Sequence, residues 1–169
     1  MTPALRSHSN LSKESVLEMI KGNLHSISMP YSHRIIHHEC HECHELRDDL
    51  VRFSRLDIPL EVVIYHRKDL PLLTPQARRY YLPSYLLRAV ETGDLDIIQP
   101  LVFSLYTEDF DDETGRRYVD IFTGQEKKTI CAFLNFVSLQ DYRVDVGEEY
   151  IIQARKIWCA RTLKRKKQK

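Results

Sequence analysis

The stretch TPQARRYYLPSYLLRAVETGD, residues 74–94, decides the fold. Thr74 is a good helix N-cap, because its hydroxyl can accept a hydrogen bond from a backbone N–H in the first turn. Pro75 suits the first helical position, where no N–H is needed. Behind them Ala77, Tyr80, Tyr81, Leu82, Tyr85, Leu86 and Leu87 make a long apolar helix. Pro83 lies inside it, removes the hydrogen bond to the Arg79 carbonyl and predicts a kink. Thr92-Gly93-Asp94 ends this helix and caps the next. The three tyrosines read as core with their hydroxyls bonded at its edge, or as a binding surface. Arg78 and Arg79 read as solvated helix charges.

Working outward, the flanks carry the same helical period. Leu95, Ile98, Leu101, Val102 and Leu105 follow, with Pro100 as a second kink. Thr123 and Glu126 form a capping box, and Ile130, Phe133, Leu134 and Val137 then give the i, i+3, i+4, i+7 stripe of a helix. Ile151, Ala154, Ile157 and Trp158 make a last helix after a polar connection over 141–147. Towards the N-terminus, Ser12 caps a helix with Glu14 in its first turn and Val16, Leu17, Ile20, Leu24 and Ile27 on one face. Leu46, Leu50 and Phe53 carry another helix to about residue 54. Residues 57–59 read as a break and restart, although Val62, Val63, Ile64 and Tyr65 also favour a strand. The expectation is a mainly α protein. It is a compact single-domain bundle of about five to seven helices, two of them Pro-kinked, with at most a minor strand. Residues 1–160 form the domain and 161–169 a basic C-terminal tail.

One segment needs a chemical explanation. Residues 37–44 read HHECHECH, in which His37, His38, Cys40, His41, Cys43 and His44 can all bind a metal. Thiolate and imidazole are the ligands zinc prefers. On a helix, His37, Cys40, His41 and His44 share an arc of about 100°, with Cys43 beside it. One helix rarely gives four ligands to a tetrahedral ion. A closed site therefore takes Cys40 and Cys43 first and recruits others from His37, His44, His41, His25, His33, His66, Cys131 and Cys159. Structural zinc and an ion-free polar helix start stand side by side as readings. A catalytic metal would require an open coordination position and a general base. A C-x-x-C redox pair lacks a βαβ context around it.

Composition bounds the rest. The chain has 169 residues, 43% of them hydrophobic, and a net charge of +1. That charge marks neither a nucleic-acid binder nor a membrane-surface protein. No apolar run reaches the length of a membrane span, and the first ten residues show no secretory signal, so the expectation is cytoplasmic with reduced cysteines. Glu108, Asp109, Asp111, Asp112 and Glu113 form an acidic loop over 107–115, suited to steering a basic protein partner. It misses EF-hand spacing, with Thr114 where glycine belongs and Asp120 where glutamate belongs. Lys164, Arg165, Lys166 and Lys167 in the tail can meet nucleic acid or an acidic protein. No nucleophile elbow, P-loop, dinucleotide fingerprint or zincin motif occurs.

The run LLTPQARRYYLPSYLL, residues 72–87, resembles the signature of an uncharacterised bacterial domain family with an "lTpeA-ryyLPaYl" core. The C-x-x-C of Cys40 and Cys43 is similar to that family's motif before the core. FTGQEKKTICAFLNF, residues 122–136, is similar to its "F-x-x-Q…v-x-x-F-L" helix through Gln125, Ile130, Phe133 and Leu134. The extra histidines and the basic tail depart from the pattern. The resemblance implies a compact helical domain of bacteria or their mobile elements and transfers no activity.

The leading expectation is a small cytosolic binding protein, zinc-stabilised at Cys40 and Cys43, that sequesters a protein partner in the manner of an immunity protein or antitoxin. The alternatives are a metal-dependent hydrolase or nuclease-like enzyme at residues 37–44 and a nucleic-acid-binding regulator acting through the tail.

Overall fold

The computed structural model of the chain describes residues 11–24, 27–106 and 113–159, with residues 113–115 described by backbone alone. In these residues the chain runs through α1 (Lys13–Asn23), α2 (His41–Leu50), α3 (Leu60–Tyr65), α4 (Pro75–Thr92), α5 (Leu95–Leu105), α6 (Glu113–Asp120), α7 (Gly124–Ser138), α8 (Arg143–Val146) and α9 (Glu148–Trp158). Short 3₁₀ turns lie at Ser32–Arg34 and Leu70–Leu72. The expected helical class holds. The described residues contain no strand, only an isolated antiparallel bridge between Ile36 and Leu73. Val62 to Tyr65 are helical: Pro59 stands just before α3 and Val63 turns into the core.

α4 is the centre. Thr74 Oγ1 accepts from the Ala77 N–H at 3.3 Å, and Gly93 closes the helix at φ 68°, a left-handed value that glycine adopts without a Cβ penalty. Asp94 then accepts from the Asp96 N–H at 2.9 Å and starts α5. Between these caps α4 is buried on most of its circumference, because α1, α3 and α5 all pack against it. Tyr81, Tyr85 and Leu86 are fully inside, each worth roughly 2–3 kcal/mol of burial. α1 also packs on α7, α7 on α9, and α9 on α5. The capping box of α7 forms as expected, with Thr123 and Glu126 bonding each other's backbone N–H groups.

Burial overturns the reading of the two arginines in α4. Arg78 is only 3% exposed. Its guanidinium donates to the Ser104 carbonyl and lies 5.3 Å from the centre of the Tyr118 ring. Burial without a carboxylate pulls it down to about 10. Arg79 holds Glu126, itself 3% exposed, in a two-pronged ion pair at 2.9–3.1 Å. The side of α4 that carries these cations packs against neighbouring helices, so they take partners from α5, α6 and α7.

Three further corrections are local. α2 stops at Leu50, and residues 51–53 form a turn in place of the expected helix to 54. The expected acidic loop over 107–115 instead leads into α6, which begins at Glu113 and is held by Tyr118, whose hydroxyl donates to the Leu73 carbonyl at 3.1 Å. The polar connection over 141–147 contains the short α8, which buries Val146.

Candidate functional site

Ser32 to Glu39 lead into α2 along the start of α4. Ile35 and Ile36 are buried and anchor the segment. The Ile35 carbonyl accepts from the Thr74 N–H at 2.8 Å, the Arg34 carbonyl from Thr74 Oγ1 at 2.6 Å, and the Leu72 carbonyl from the His37 N–H at 3.4 Å. His37 Nε2 donates to the Pro71 carbonyl at 2.9 Å. Thr74 therefore caps α4 and also fixes the approach to α2.

At the end of that approach Cys40 is the N-cap of α2. Its backbone is extended, and its Sγ accepts from the Cys43 N–H at 3.3 Å. Cys40 is exposed and Cys43 is 0% exposed, one helical turn on. The two sulfurs lie in direct contact, 2.6 Å apart. Neither is in a disulfide. Burial, and then the hydrogen bond with Cys40, push the Cys43 thiol up from its ordinary value.

The remaining cluster residues point elsewhere. His44 Nε2 donates to Glu39 Oε2 at 2.5 Å, an exposed pair that folds back over the helix start. His37 is held by Pro71, its ring stacked at a tilt against His38 at 4.2 Å, and His41 is exposed. His37 and His44 are turned to other partners. Among the described residues no group of three or more His, Cys, Asp or Glu is placed to hold a metal ion.

The distant ligand candidates have other roles. His66 is 1% exposed, with Nδ1 donating to Asp69 at 2.8 Å and Nε2 to Asp49 at 3.0 Å. Burial alone would lower this imidazole, but the two carboxylates outweigh it and the net shift is upward. His66 thus ties the C-terminal half of α2 to the end of α3. Against the expectation of reduced cysteines, Cys131 and Cys159 are bonded to each other, joining α7 to the end of α9. The sequence reading named them only as candidate metal ligands and missed their pairing with each other. The available signal was arithmetic: with Cys40 and Cys43 taken as one pair, two cysteines are left over. His33 is exposed and stacks on Tyr31 at 5.7 Å. His25, Glu108, Asp109, Asp111 and Asp112, and Lys164, Arg165, Lys166 and Lys167 lie outside the described residues, as does the side chain of Glu113.

No protein-family model, no curated protein and no solved structure matches the chain. Among the described residues, no helix is long and apolar enough to cross a membrane.

Proposed function

We propose that the chemistry of this protein is thiol–disulfide exchange at Cys40 and Cys43. One observation carries the reading: an exposed sulfur and a buried one, a helical turn apart, sit 2.6 Å from each other at the start of a helix. A disulfide bond is about 2.05 Å long, so closure moves the sulfurs by about half an ångström. Cys40, as its thiolate, attacks one sulfur of a substrate disulfide. A mixed disulfide forms and the first substrate thiolate leaves. Cys43 then attacks Cys40 Sγ. The mixed disulfide breaks, the Cys40–Cys43 disulfide forms, and the second substrate sulfur departs with the proton Cys43 gives up. Exposure assigns the first step to Cys40, and burial reserves Cys43 for the second. Small-molecule thiols would return the pair to the dithiol after each turnover.

The test follows both sulfurs by mass after reaction with a chromogenic aromatic disulfide. Wild type should release two equivalents of aryl thiol and close the pair. Cys40→Ser should release none from this site, and Cys43→Ala should stop at the mixed disulfide. A wild type that stays dithiol, or that carries stoichiometric zinc when purified without chelator, would overturn the reading in favour of no chemistry or of a metal site.

A second reading, partner binding, is favoured by a groove of about 400 Å³ lined by Pro71, Pro100, Phe103, Val146 and Tyr150, with Lys68 at its side. Phe103 is 54% exposed and Tyr150 40%, their rings edge to face at 5.4 Å. Stoichiometric capture of a protein from the native host by wild type, lost with Phe103→Lys, would support it. Capture unchanged by Phe103→Lys would overturn it.

A further inference from the structure

The Cys131–Cys159 disulfide lines a second pocket, of about 630 Å³, in which the apolar side chains of Leu11, Ala132 and Trp158 stand beside Lys127 and Lys128. Lys127, Lys128, Cys131 and Asn135 fall within an arc of about 100° on α7, and Gln125 also lines the pocket. Lys128 is exposed, and Lys127 makes only a loose contact with Asp120 at 3.7 Å. Asn135 Nδ2 donates to Cys131 Sγ at 3.6 Å, while its buried Oδ1 has no hydrogen-bond partner. A disulfide in the wall of an open pocket whose lining includes two lysines is arranged to meet a small anionic thiol.

We propose that this pocket admits an anionic low-molecular-weight thiol of the glutathione class, which opens Cys131–Cys159 and is left as a mixed disulfide on Cys159. The inference is independent of the chemistry at Cys40 and Cys43. The thiolate attacks Cys159 Sγ, a new sulfur–sulfur bond forms there, and the Cys131–Cys159 bond breaks with its electron pair going to Cys131. Asn135 Nδ2 and the two lysines on the same helix face stabilise Cys131 as the leaving thiolate, which sets the direction of attack. A second equivalent of the thiol, attacking the adduct, returns Cys159 as a thiol and departs as the oxidised dimer. Opening the bond unties the end of α9 from α7, two residues before the basic run that starts at Arg161.

The experiment treats the full chain with reduced glutathione, neutral 2-mercaptoethanol or cationic cysteamine at equal thiolate concentration, traps free thiols by alkylation and maps the peptides by mass. Glutathione should open the bond roughly threefold to tenfold faster than the neutral thiol, with the preference fading at high salt. Lys127→Gln with Lys128→Gln should remove the preference, and the adduct should map to Cys159. Cysteamine as fast as glutathione, or a preference that survives both high salt and the double substitution, would overturn the proposal. An adduct on Cys131 would overturn the direction of attack. The salt series on wild type decides the matter even where the double variant folds poorly.

Discussion

The two cysteine pairs differ in what a sulfur–sulfur bond holds. Cys131 and Cys159 are 28 residues apart and join α7 to the end of α9, so their bond restrains a long loop and two packed helices. Cys40 and Cys43 are one turn apart at the start of α2, and a bond between them would restrain little beyond that turn. α2 is anchored differently, by the imidazole of His66 held between Asp49 and Asp69. One end of the molecule is therefore secured covalently and the other by charge. A bond between Cys40 and Cys43 could therefore open and close within one helical turn, as the proposed exchange requires.

The sharpest way to break this contrast is to remove the long-range bond. Chain-entropy reasoning gives a loop of this length roughly 3–4 kcal/mol. Cys131→Ser with Cys159→Ser should lower the denaturant midpoint accordingly, and reduction of wild type should match it. A change under about 1 kcal/mol in urea titration would show that the helix packing alone holds α9.

The ionic anchor should have a smaller effect, and one that depends on pH. Asp49 and Asp69 are about one-third exposed, so solvent weakens the clamp, and His66→Gln should cost about 1–2 kcal/mol. The folded imidazole titrates above the ordinary value of 6.5. Its stabilisation is therefore complete below that value and is lost as pH rises through the raised folded value. Wild type should weaken relative to His66→Gln in urea titrations as pH rises above the ordinary imidazole value of 6.5, while the variant's profile should be flatter. Parallel profiles would remove His66 as the anchor.

The smallest effect on stability belongs to the reactive pair. Cys40→Ser keeps a hydroxyl cap at the start of α2 and should change stability by less than about 0.5 kcal/mol. Thermal unfolding checks that, while exchange at the site disappears. A large loss of stability would mean that Cys40 is structural.

The parts of this fold that were legible in the sequence are those whose cause is local. Thr74, Gly93, Asp94 and the Thr123–Glu126 box act within one turn of themselves, so α4, the start of α5 and α7 follow from their residues. α6 was not legible, because its residues show no clear apolar stripe and Tyr118 is secured by the Leu73 carbonyl and by Arg78 from elsewhere in the chain. At the candidate site, the spacing of Cys40 and Cys43 already placed both sulfurs at one helix start. The spread of histidines around them suggested several ligands for one ion, but composition says nothing about direction. His37 turns to Pro71 and His44 to Glu39.

Caps, helical periods and the short C-x-x-C interval are properties of neighbours along the chain, and the order of residues is enough to specify them. Tertiary packing decided the rest: that Cys43 is sealed while Cys40 is open, that Arg78 lies inside, that His66 meets two carboxylates, and that Cys131 finds Cys159. Each of these depends on which surfaces lose water when helices distant in sequence come together, and no local pattern records that.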